Sequence, residues 1–106
     1  MSVRVKPAAR ADLVAIKAWR LSQWGQARTR DFLEGLIETI EAVQHYPQKG
    51  RPRDALLPGA RSVRYTGHLI LYVIDGAGPV VVAVLNERRN LAALSFANRV
   101  ADGGSP

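Results

Sequence analysis

The chain has 106 residues, the length of one domain with a modest core. Its 15 Lys and Arg outnumber its 9 Asp and Glu, for a net charge of +6, and arginine supplies most of the cations; a partner rich in carboxylate or phosphate fits that balance. With no cysteine, a disulfide scaffold and a thiolate zinc site are excluded. The segment Met1–Lys6 lacks the apolar stretch of a secretory signal, and no apolar run approaches the roughly 18 residues of a membrane span. A cytoplasmic location with no membrane partner is therefore expected.

Val3–Lys6 alternates apolar and cationic residues, which predicts a short strand ended by Pro7. A helix is predicted from Ala8 to Trp24. Leu13 and Ile16 recur at helical spacing, continued by Trp19 or Arg20 and then Trp24. Asp12 is read as complementing the helix dipole, and Gly25 as the stop. A second helix is predicted from Ala27 to Tyr46, with Phe32, Leu33, Leu36, Ile37, Ile40 and Val43 on one stripe. Arg28, Arg30, Glu34, Glu38 and Glu41 fall on the other faces. The single glycine between the helices implies an antiparallel hairpin. Gln48–Gly59, rich in Pro and Gly, reads as one long irregular connection. Three strands follow: Arg61–Thr66, His68–Asp75 and Val80–Glu87, turning at Thr66-Gly67 and at Asp75–Gly78. The middle strand is apolar on both faces and so central. Ile40 and Ile70 are predicted to be buried. Asn90–Val100 reads as a short C-terminal helix and residues 101–106 as a frayed tail. The whole predicts one α+β domain over residues 1–106: an N-terminal strand and an antiparallel helix hairpin packed on a small antiparallel sheet.

Several local patterns occur in a specific order. Pro7–Ile16 leads to Trp24-Gly25, and Tyr46-Pro47-Gln48-Lys49-Gly50 closes the helix pair. Gly59-x-Arg61 leads into His68-Leu69-Ile70-Leu71-Tyr72, and Val84–Asn90 ends the series. Together they resemble the RelE/ParE superfamily of bacterial toxins, nearest its ParE branch. Asn86 and Asn90 stand where the family's closing pattern has His and Asp. The resemblance implies the toxin of a type II toxin–antitoxin pair, with a cognate antitoxin as partner and DNA gyrase as target. It implies no cofactor and inhibition by binding rather than by enzymatic chemistry.

The alternative within the superfamily is a ribosome-dependent mRNA endonuclease. Cleavage needs an acid–base pair and cations on the crowded phosphate. Leu69 stands where that branch has an arginine, and Asn90–Leu94 lacks its tyrosine. A third reading is an inactive relative that acts only in an antitoxin complex. The candidate contact residues are Arg61, Arg64, Arg88 and Arg89 on a concave cationic surface, with Trp19 and Trp24 as an aromatic patch. Against these stand a solvated or ion-paired Arg61, a solvated strand end at Arg88 and Arg89, and tryptophans that belong to the helix hairpin. Direct nucleic-acid binding stays open, although Tyr65 and Tyr72 are not spaced as a stacking pair. His45 and His68 are too far apart for a zinc site, and His68 is read as bonding to backbone.

Overall fold

The computed structural model describes residues 4–86. In chain order it contains β1 (Arg4–Val5), α1 (Pro7–Trp24), α2 (Gln26–His45), a 3-10 turn (Pro47–Lys49), β2 (Arg51–Pro52), β3 (Arg61–Tyr65), β4 (His68–Asp75) and β5 (Gly78–Asn86). Pro7 opens α1, a position whose N–H has no intrahelical acceptor in any case. One residue, Gly25, separates the helices; its N–H bonds to Leu21 O, and its own carbonyl accepts from Thr29 N–H.

The strands form one sheet in the order β1-β5-β4-β3-β2. β3, β4 and β5 make the expected antiparallel meander, with His68 opposite Tyr65 across the first turn. That turn, Thr66-Gly67, has positive φ at both residues (44° and 77°), the mirror-image geometry that matches strand twist. β1 runs parallel to β5, with Arg4 opposite Val80 and Val5 opposite Val81. The sheet is therefore mixed rather than wholly antiparallel. Both helices lie between β1 and the meander, and a crossover of that kind lets the chain return in the same direction.

The apolar stripe of α2 makes the main core. Phe32, Leu36, Ile40 and Val43 pack with Ala9 of α1 against Ile70, Tyr72, Val81 and Val84 of the sheet. Ile40 and Ile70 are 6% and 0% exposed, as their spacing predicts. Ile37 departs from the expected stripe and is 53% exposed. A bulge opposite Leu71 and Tyr72 adds Val82 to β5, which lets Val81 and Val84 both face the helices. The second sheet face gathers Leu71, Val82, Ala83 and Leu85 beneath Leu57 and Ala60.

Leu57 belongs to the Gln48–Gly59 segment expected to be irregular, and Ala60 directly follows it. The segment is instead organised: the 3-10 turn leads into it, β2 lies inside it, and its far end is closed by Arg53 N–H to Ala60 O at 2.8 Å. Asp54 Oδ1 accepts Gly59 N–H across the loop. Asp12 also differs from its expected role. It lies beyond the first turn of α1, and its Oδ2 accepts Val84 N–H at 3.0 Å. β1 covers β5 only at Val80 and Val81, so this carboxylate serves an edge amide beyond the reach of the short strand.

Candidate partner-binding surface

The turn after α2 is fastened to the sheet from below. Tyr72 is fully buried on β4; its hydroxyl donates to Pro47 O at 2.7 Å and accepts Gly50 N–H at 3.0 Å. A Cβ on Gly50 would collide with that hydroxyl, so the close approach requires glycine. Arg61 adds a second fastening: its Nη1 donates to Gln48 O at 3.1 Å and Gly50 O at 2.8 Å. A parallel device joins α2 to β3. The Tyr65 hydroxyl donates to Phe32 O at 2.9 Å and crosses directly over Gly35, where no side chain fits.

These fastenings hold open a groove of about 740 Å³ between α2 and β3. Gly35, Glu38, Thr39, Ala42 and Val43 form one wall, and Ser62–Tyr65 form the other. Lys49, Arg51, Arg53 and Arg64 supply its positive charge, which outweighs the single Glu38 on the α2 wall. Arg53 Nε donates to Ser62 Oγ at 2.8 Å. Burial lowers the pKa of the Arg53 guanidinium, and the like charges of Arg51 and Arg64 push it the same way. The cations are thus close enough to repel one another, and a carboxylate in the groove would relieve that repulsion. β2 pairs with β3 only at Arg61 and Ser62, which leaves the groove accessible along the rest of the strand.

Arg61 and Arg64 do not share one surface as expected. They are three residues apart on a strand and face opposite sides of the sheet. Arg61 is half-buried against the Gln48 and Gly50 carbonyls, while Arg64 is exposed in the groove. Arg88 and Arg89 lie outside the described residues. Lys49, Arg51 and Arg53 join the candidate residues by lining this groove; their signal in the sequence is the cationic spacing within the Pro- and Gly-rich segment.

Trp19 and Trp24 meet edge to face at 6.4 Å, with Trp24 at the same distance from Phe32. Trp24 is half-buried in the hairpin, whereas Trp19 is 57% exposed. The Arg20 guanidinium lies over both Trp24 and Phe32. His68 Nδ1 sits 3.2 Å from Thr66 O, the backbone contact expected of it. Leu69 is 2% exposed and offers no donor to a phosphate. Among the described residues, no group of three or more His, Cys, Asp and Glu could hold a metal ion, and no helix is long and apolar enough to cross a membrane.

Residues 3–91 match the family described as the ParE toxin of the type II toxin–antitoxin system, parDE. The chain is similar to Toxin ParE1 of Caulobacter vibrioides, 29% identical over 90 residues that cover 85% of this chain and 93% of that protein. It is also similar to Toxin ParE3 of the same organism, 36% identical over 61 residues, covering 54% of this chain and 61% of that protein. Among solved structures, a chain of the chromosomal ParDE TA system from P. aeruginosa shares the fold. Its TM-score is 0.69 at 19% identity, over 81% of this chain and 95% of that one.

Proposed function

The chain belongs to the ParE toxin family of type II toxin–antitoxin systems, and we propose that it is the toxin of such a pair, acting in the cytoplasm by binding DNA gyrase and neutralised by a cognate antitoxin. The observation that carries the binding reading is the cationic groove between α2 and β3. Its occupant is an acidic, amphipathic segment of the antitoxin. Carboxylates meet Lys49, Arg51, Arg53 and Arg64, and apolar side chains meet Ala42 and Val63.

Inhibition by binding asks only for complementary charge and shape. Cleavage of RNA asks for donors aimed at a developing oxyanion. Leu69, where the ribonuclease branch carries arginine, is packed into the sheet and supplies none. Calorimetry of the purified chain against the product of the neighbouring reading frame tests the partner. Binding at low salt that weakens as salt rises is the expected result, because charges at the groove rim are screened beyond about 8 Å at physiological ionic strength. Absence of binding at low salt contradicts the proposal.

A further inference from the structure

Arg20 is 5% exposed, yet it carries a full positive charge into the contact between the two helices. Its guanidinium carbon lies 3.9 Å from the centroid of Trp24 and 3.6 Å from that of Phe32. Ring faces offset the charge, but they are weak substitutes for oxygen acceptors. Nε and Nη1 are both enclosed and have no hydrogen-bond partner. A guanidinium presents five N–H donors, and buried donors are ordinarily satisfied. Burial lowers the pKa of this group; Tyr65 opposes the shift and Arg28 adds to it. The group nonetheless stays charged at neutral pH.

Arg20 lines a second groove, of about 530 Å³, between α1 and the β3–β4 turn. Ile16, Trp19 and Trp24 give it apolar walls; Thr66, His68 and Asn86 give it a polar rim. Asp12 also lines it, with Oδ2 committed to Val84 N–H.

We propose that this groove is a carboxylate-binding subsite, in which an acidic side chain of a partner protein pairs with Arg20 and lays its methylene groups against Trp19 and Ile16. Nε and Nη1 are enclosed, so the carboxylate meets the guanidinium at Nη2, whose two N–H groups donate charge-assisted bonds to it. A phosphate dianion fits less well than a singly charged carboxylate, because it brings the larger negative charge into a groove that Asp12 also lines. The subsite is separate from the cationic groove along β3. It shares with the proposed function only the acidic character of the partner, and its first test uses no partner at all.

The test is a titration of the full ¹⁵N-labelled chain with N-acetyl-glutamate amide at constant ionic strength, following arginine Nε–H resonances. The Arg20 signal is assigned by its loss in Arg20→Lys. The expected result is a saturable shift of that signal, half-complete at roughly millimolar ligand, the affinity a ligand of this size reaches. Trp19→Ala, at an exposed position, should raise the half-saturation point by about threefold or more through the lost wall. An Arg20 signal that does not move overturns the proposal. So does an equal or larger response to inorganic phosphate, or an unchanged half-saturation in Trp19→Ala. Such a failure leaves the toxin reading intact, since antitoxin binding at the β3 groove decides that separately.

Discussion

Tyr72 fixes the rim of the cationic groove through one hydroxyl that serves two backbone groups 22 and 25 residues away. Tyr72→Phe keeps the ring and orphans both Pro47 O and Gly50 N–H. The expected cost is about 1–3 kcal/mol, read by urea unfolding; a change within about 0.5 kcal/mol would show that the turn is held by something else. Burial pushes this hydroxyl above the ordinary tyrosine range, while Gly50 N–H and Arg61 pull it back. The folded pKa is the higher one, so the contribution is complete below the unfolded value of about 10 and declines as pH rises through the folded value. Unfolding midpoints that fall above pH 10 in the wild type but stay flatter in Tyr72→Phe would check this. The strand position of Tyr72 could be read from His68-Leu69-Ile70-Leu71-Tyr72. Its partner could not, because nothing local in the sequence announces a contact with Gly50. Arg20 is an intermediate case. The row Leu13, Ile16, then Trp19 or Arg20, reaches the right turn of α1, and the structure buries Arg20 while leaving Trp19 57% exposed. A cation among aromatics is paid in ring contacts that periodicity alone does not reveal.

At the scale of elements, the register of α2 decides whether the hairpin sits on the sheet as described. Ile40→Ala should cost about 2–5 kcal/mol, the loss of a buried side chain plus its cavity. Ile37→Ala, on the exposed side of the same helix, should change stability by no more than about 0.5 kcal/mol. Equal effects at the two positions would mean the helix is rotated from this register. Gly35 gives a test of sign. In a free helix, Gly→Ala stabilises by about 1 kcal/mol, but here the new methyl meets the Tyr65 ring and its bond to Phe32 O. Gly35→Ala should therefore destabilise the protein in thermal unfolding, and a gain in stability would contradict the close approach of α2 to β3. Both helices and the meander were readable because their apolar residues repeat over many turns or strand pairs. β1 and β2 are two residues each, too short for periodicity, and their pairing is set by where the helices return the chain. The sequence accordingly indicates a strand near Val3–Lys6 without showing that it lies parallel to β5.

Among the described residues, Lys49, Arg51, Arg53 and Arg64 line one accessible groove beside the helix pair, with Glu38 on its α2 wall. Arg51→Glu with Arg64→Glu, both at exposed positions, should leave the fold intact while weakening antitoxin binding by on the order of tenfold or more and flattening its salt dependence. Unchanged affinity would move the partner to another surface. The sequence placed Arg64 on this surface but paired it with Arg61, which the alternation of β3 turns to the other face. Lys49, Arg51 and Arg53 were hidden by a segment whose prolines and glycines read as irregular. The family assignment, by contrast, rests on the order of many short patterns along the chain, and that order survives local departures such as Asn86. The measurement that bears most directly on how this protein acts is a gyrase supercoiling assay with the purified chain, run beside a translating ribosome extract. The account predicts impaired supercoiling or accumulated cleaved DNA, reversal by the cognate antitoxin, and intact mRNA. Codon-specific cuts in mRNA at the ribosome, with gyrase unaffected, would contradict it.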